Sequence, residues 1–378
     1  MIHEDLNRFS FPSFSELKKE FKEVSVFQDR EWIRRWFREQ AKRQPIKPFI
    51  VVVKDNGKTI GIFPMYSYQA TFRFTILKPI GGDTSDYLIP LIAKQYCEKR
   101  IFAKVWRTLY SNKTKWDSII WPNLPAFTLL DQQAPVMHKG MKCIARKKGA
   151  NCPYISFEGP SKELKSYLNK KYGKKIECKE RKLVRQQGAF QYNKVTSEGK
   201  IEEVMNVLFQ LHCKRWAVTG RFSPYENIEE RNRALSLAFG LFQSNLLHLS
   251  YLKIGDKIIA VHFGMGDGER FYYYIPAFDT EYNKYSVGQI LIYRLMQDVF
   301  QEGYQVFDFL RGSESYKYDW GAKEAFNVER IFVNDTMKSK MFVVVYKIQQ
   351  YMFSNRMLRR MLDKWIALKG NRKKAQLD

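Results

Sequence analysis

The chain has 378 residues, 45% of them hydrophobic and 15% aromatic, which excludes a disordered chain and gives enough length for two cores. Its formal net charge of +25 calls for an anionic partner: nucleic acid, an acidic lipid surface or a phosphorylated small molecule. Five scattered cysteines without a CxxC and five scattered histidines without an HExxH argue against a disulfide framework or a zinc site, and no apolar run reaches the length of a membrane span.

The start, "MIHEDLNRFS", lacks a basic stretch followed by an apolar one, so no signal peptide is expected. The segment "FIVVVKDNGKTIGIFPMYSY" (49–68) reads as a hairpin: a β-branched run, an Asn-Gly turn and a second strand. "PIGGDTSDYLIPLIAKQ" (79–95) follows, then a helix-like stretch and the strand "WDSIIWP" (116–122). Residues 162–188 hold ten Lys/Arg against three Glu and predict a charged bridging helix. Residues 201–216 form an amphipathic helix with Val204, Leu208 and Leu211 on one side, and 231–242 form another. "HLSYLKIGDKIIAVHFGMG" (248–266) repeats the hairpin plan, and "GMGDGE" (264–269) is its turn into a third strand, because a nucleotide cradle would need a helix after it. The best helix covers 286–302, where Val287, Leu291, Leu295 and Val299 recur every four residues; the strand "YQVFDFL" (304–310) follows. The same order of elements in each half predicts two copies of one α/β unit. The expected boundaries are 1–160 for the first, 161–337 for the second (opening with a basic linker helix, 161–187) and 338–378 for a basic C-terminal helix. That last stretch carries eleven Lys/Arg against two Asp, interleaved with Val345, Ile348, Met352, Leu358, Leu362 and Trp365. It reads either as a helix lying on an anionic membrane or as one packed on the second domain.

Candidate site residues gather in the second half. "YSVGQ" (285–289) opens the best helix, and Gly288 there either admits a phosphate to the helix start or relieves crowding. His212 shares a helix face with Leu208 and Trp216, as a satisfied core histidine or as a substrate contact. Arg215 is a solvated charge or an anion ligand. Asp308 interrupts an apolar strand, so its carboxylate is either paired with Arg311 or faces a cleft. "SESYKYDW" (313–320) adds Glu314, Tyr316, Lys317 and Trp320 just past a strand end.

The series "LHCKRW", "GDKIIAVHF", "YYYIPAFD", "YSVGQILIYRLM" and "FDFLRGSESYKYDWG" resembles the CelD-type branch of the GNAT acyltransferase superfamily, which is related to the FemAB aminoacyltransferases. The resemblance implies an α/β (α+β) fold of tandem GNAT-like domains, each a mixed sheet flanked by helices. It implies acetyl-CoA or another acyl-CoA as donor and no metal, with a pyrophosphate held by Asn283, Ser286, Val287, Gly288 and Gln289. Asn283 and Ser286 depart from the family's Gln/Arg and first Gly. The implied catalytic set is Tyr316, Lys317, Asp308, Glu314 and His212, with Tyr316 protonating the leaving thiolate and Tyr316-Lys317 similar to the Phe-Lys pair of FemAB relatives. Arg215, Trp216, Asp279, Arg311 and Trp320 are the candidate substrate contacts. The expected activity is N-acylation of an amino group on a sugar or polysaccharide precursor, in the cytoplasm or peripherally at the inner face of the membrane. Two alternatives stay open: a FemAB-like transferase using charged tRNA, and a degenerate GNAT scaffold.

Overall fold

The computed structural model describes residues 1–6, 9–133 and 137–354. The first half runs through β1 (Ile2–His3), α1 (Phe14–Glu20), α2 (Arg30–Arg43), β2 (Ile46–Asp55), β3 (Lys58–Gln69), β4 (Thr75–Pro79), β5 (Leu91–Ile92), α3 (Glu98–Ser111), β6 (Ser118–Pro125), α4 (Leu129–Gln133) and β7 (Met141–Asn151). The second begins with β8 (Tyr154–Ser156), α5 (Lys170–Gln187), β9 (Phe190–Lys194), α6 (Ile201–Val218) and α7 (Ile228–Gln243). It continues with β10 (Leu247–Ile254), β11 (Lys257–Gly266), β12 (Arg270–Phe278), α8 (Val287–Gln301), β13 (Val306–Asp308), α9 (Ser315–Asp319), β14 (Phe326–Asn334) and α10 (Met337–Ser354).

Two mixed sheets result, and the repeat is plain in their strand order. One reads β1-β2-β3-β4-β6-β14-β7, with β5 on β3; the other reads β9-β10-β11-β12-β13-β8. Each has one parallel pair, β4 with β6 and β12 with β13, and the crossovers between those strands contain α3 and α8. The Asn-Gly hairpin folds as its residues require: Asn56 and Gly57 take φ of 47° and 80°, and β2 and β3 pair in register Val51↔Phe63.

The two sheets exchange strands, one at an edge and one inside. β8, from the first 160 residues, pairs antiparallel with β13, while β14, from the last third, pairs with both β6 and β7. Sheet membership therefore does not follow a sequential division at 160/161. Only Cys152 and Pro153 separate β7 from β8, so the chain steps directly from the edge of one sheet to the edge of the other. One apolar core also serves both halves, joining Phe63 and Phe332 of the first sheet and Trp106 of α3 to Leu208 and Phe209 of α6 and Phe263 of β11.

A second core centres on α8. Val287, Leu291, Ile292, Leu295, Met296 and Val299 are all buried, and each such side chain contributes about 1.5–3 kcal/mol relative to exposure. Gly303 ends the helix at φ 87°, and the Tyr304 N–H bonds the Val299 carbonyl at 3.0 Å. No described helix is long and apolar enough to cross a membrane. The expected C-terminal helix is described only through Ser354; residues 355–378 lie outside the described residues.

Candidate active site

β12 and β13 pair over only three positions, Arg270↔Val306 to Tyr272↔Asp308. Beyond them the Phe309 N–H bonds the Pro153 carbonyl and the Gly312 N–H bonds the Asn151 carbonyl, both at 2.9 Å. Leu310 turns through φ 58° between them. The chain is thus drawn toward the first half, and the edge of β12 from Tyr273 onward loses its strand partner. A wedge opens there, along which the Tyr274 N–H donates to His262 Nε2 at 3.2 Å and Pro276 has no N–H to offer.

The start of α8 follows β12. Ser286 holds a left-handed conformation (φ 56°, ψ 46°) and makes no side-chain cap. The N–H groups of Gln289 and Ile290 bond the Ser286 carbonyl, while those of Val287 and Gly288 precede the first intrahelical acceptor. Together with the helix dipole they form an anion-attracting end. The matching start of α3 carries Glu98 in its first turn, bonded to Lys22 Nζ at 2.8 Å. A carboxylate there repels phosphate, so the α3 start lacks what the α8 start offers.

Gly288 meets a protein ring. A Cβ at this position would lie 2.9 Å from Cδ1 of Phe278, and the Arg215 guanidinium stacks 4.6 Å above that same ring. The glycine is required by Phe278, whatever else it admits. Around it, Asn283 is exposed with its carbonyl on the Ser286 N–H, Val287 is buried, and the Gln289 Oε1 accepts the Trp320 indole N–H at 2.9 Å.

The wedge brings Tyr316, Glu314 and Arg215 together. The Tyr316 ring lies 6.3 Å from Phe309, which lies 5.9 Å from Tyr273. Burial and the neighbouring Glu314 charge push the Tyr316 hydroxyl up, so it keeps its proton. Partial burial works to raise Glu314, but the Lys317 ammonium at 2.9 Å and the field of Arg215 outweigh it and hold the carboxyl below its ordinary range. Glu314 is also open to solvent, its side chain 56% exposed.

Other expected site residues are occupied elsewhere. Asp308 does not pair with Arg311: it accepts from Tyr87 Oη at 2.8 and 2.9 Å, from Arg270 Nη1 at 2.8 Å and from the Leu310 N–H at 2.8 Å. Burial raises its pKa against those partners. The left-handed Leu310 sends Arg311 to the first half instead, where it pairs with Asp86. Lys317, buried, donates to the carbonyls of Leu310, Arg311 and Gly312 at 3.0–3.4 Å, so its ammonium braces the turn rather than facing the wedge. Asp279 is buried between Lys214 (2.8 Å) and Lys257 (2.9 Å) and caps the turn at Glu281. Trp320 is fully buried, stacked on Tyr293. Trp216 stacks on His212 with ring centres 5.1 Å apart.

His212 is buried, with Nδ1 2.8 Å from Ser223 Oγ. Burial first, then Arg215, lowers its pKa to about 4, which makes it a weak base. Its ring meets the edge of Tyr225, and Tyr225 lines a cavity of about 180 Å³ between α2 and α7, beside Trp32, Trp36 and Tyr274. Arg35, Glu39, Arg43, Glu230 and Arg233 rim that cavity. α6 therefore connects the cavity, through His212, with the wedge, through Arg215. His248, Asp298 and Glu302 could approach a cation within 4.8 Å of one another, but Tyr192 and Lys194 already bond the two carboxylates.

Sequence reasoning missed Asp86, Tyr87, Arg270 and Phe278. In "GGDTSDYL" Asp86 follows glycines and polar residues, which gives no sign of burial, and its partner Arg311 sits 225 residues away.

Residues 170–318 match the family described as acetyltransferase (GNAT) domain. FemX is similar in structure, with a TM-score of 0.63 at 11% identity over 87% of this chain and 96% of that one. So is a conserved protein of unknown function from Bacteroides thetaiotaomicron, with a TM-score of 0.53 at 13% identity over 80% and 89% of the two chains. The C-terminal domain of a proposed lysylphosphatidylglycerol synthetase from Agrobacterium fabrum gives 0.50 at 12% identity over 82% and 94%. No curated protein matches by sequence. Residues 170–318 thus carry a GNAT-type acetyltransferase domain, which supports an acyltransferase.

Proposed function

We propose that the chain is an N-acyltransferase of the CelD-type branch that uses acetyl-CoA or another acyl-CoA as donor and an amino sugar or polysaccharide precursor as acceptor. The observation that carries the donor assignment is the β12–β13 wedge beside an uncapped α8 start. Helix N–H groups and Arg215 attract the pyrophosphate, and the β12 edge freed from β13 lines the place where the oxyanion develops. The acceptor assignment rests on the cavity between α2 and α7, whose aromatic walls and charged rim suit a polar ring.

In this reading the neutral amine attacks the thioester carbonyl, the C–S bond breaks, and the thiolate takes the Tyr316 proton. The ammonium proton leaves to Glu314 through water; Glu314 is ionised and solvent-facing, whereas Asp308 is sealed by Tyr87 and Arg270. Lys317 positions Glu314 and the turn.

One observation favours a second reading. The Phe278 ring and Arg215 lie over Gly288, where a CoA pyrophosphate would approach, and seven cations on α5 are exposed nearby, which suits a charged tRNA donor. A transfer assay separates them: labelled acetyl-CoA and aminoacyl-tRNA are each offered with a panel of amino sugars. Label moving from acetyl-CoA to an amino sugar supports the first reading. Transfer from tRNA alone replaces it with the second, and label from neither leaves a scaffold.

A further inference from the structure

α10 packs on the body of the protein through one face only. Ser339 is buried, its Oγ bonding the Asp117 carbonyl and Asn334, and Phe342 meets Phe74 edge-on at 5.5 Å. The opposite face is apolar and open: Met337, Met341, Val344, Ile348 and Tyr351 are each between 47% and 78% exposed. Their spacing of four, three, four and three residues keeps all five within one narrow stripe. A soluble helix normally turns such a stripe inward, so its outward position asks for a covering partner.

The flanks state what kind. Lys338, Lys340 and Lys347 are exposed, and α10 contains no Asp or Glu. By helical geometry Lys340 and Lys347 border one side of the stripe and Lys338 the other. Beside Lys338, whose Nζ bonds the Arg73 carbonyl at 2.9 Å, the tip of the β3–β4 turn holds Phe72, itself 65% exposed. Phe72 and Arg73 both adopt positive φ, 59° and 55°, an uncommon state for such residues that presents an aromatic and a cation at the surface. In the sequence the four–three spacing continues through Leu358, Leu362 and Trp365, with Arg356, Arg359, Arg360 and Lys364 between them.

We infer that α10 and the Phe72 turn form a docking surface for a bilayer containing anionic lipid, the stripe entering the headgroup–acyl boundary and the lysines meeting lipid phosphates. Charge complementarity favours lipid over a second copy, because pairing two such helices would set lysine against lysine across the seam. The surface lies apart from the wedge and does not depend on the donor assigned there.

Co-sedimentation of the full chain with phosphatidylcholine vesicles, with and without phosphatidylglycerol, tests this at low and moderate salt. Binding is expected only with phosphatidylglycerol. Met341→Glu with Ile348→Glu should weaken it at least roughly tenfold, and Lys340→Gln with Lys347→Gln by about tenfold. The substituted positions are exposed, and an unchanged Tm shows that the fold is kept. Vesicle binding unaltered by the stripe variant would overturn the proposal. So would absent binding together with a concentration-dependent dimer that the stripe variant dissolves, which would assign the face to a second copy.

Discussion

Residues in the wedge separate into those that face it and those that hold its walls, and substitution should tell them apart. Among the described residues the Tyr316 hydroxyl makes no hydrogen bond, so Tyr316→Phe should leave stability within about 0.5 kcal/mol. Turnover should fall about a hundredfold if its proton reaches the leaving group, which steady-state kinetics beside a urea titration would show. Asp308→Ala should do the reverse of a clean catalytic change. Removing the buried carboxylate leaves the Tyr87 hydroxyl and the Leu310 N–H unpaired beside a partly exposed Arg270, which costs on the order of 1–3 kcal/mol per unsatisfied buried group in a urea titration. His212 gives a pH signature. Its folded pKa of about 4 lies below its ordinary 6.5, so its contribution is full above pH 6.5 and is lost as pH falls toward 4. The native protein should therefore lose on the order of 2–3 kcal/mol more than His212→Gln over that window. Equal losses in both proteins would mean that His212 is not buried neutral.

At the scale of elements, periodicity made much of the fold legible. The four-residue recurrence from Val287 to Val299 located α8 to within a residue at each end, and the Asn-Gly and Gly-Asp turns located two hairpins. Side-chain pairing was not legible. Asp308 and Arg311 are three residues apart, and a local pair was the natural reading; the left-handed turn at Leu310 and the approach of Asp86 and Tyr87 from the first half decided otherwise. Gly288 shows the same limit. Its need for a missing side chain could be read, but the cause, the Phe278 ring ten residues earlier, required the packed structure. Gly288→Leu should consequently cost about 1–3 kcal/mol through overpacking. Most of that cost should vanish in a Phe278→Ala background, a coupling measurable by a double-mutant cycle. Additive losses would remove Phe278 as the reason for the glycine.

The whole molecule is two related sheets that lend each other a strand and share a core. The repeated element order was visible in the sequence, whereas the exchange was not: the three residues of β8 carry little periodic signal, and the nine of β14 do not say which sheet they join. Such interlocking should make unfolding a single cooperative calorimetric transition, unlike two domains joined by a linker; two separated transitions would contradict it. The exchange also fixes the wedge, since β8 supplies the flanking strand and the Pro153 carbonyl just before it draws Phe309 away from β12. Donor binding at that wedge is the central claim, and amide hydrogen exchange with and without acetyl-CoA tests it most directly. Slowed exchange at Val287, Gly288 and the β12 edge from Tyr273 to Phe278, with the α3 start unchanged, is the predicted result. Unchanged exchange there under saturating acetyl-CoA, or protection confined to the first half, would contradict it.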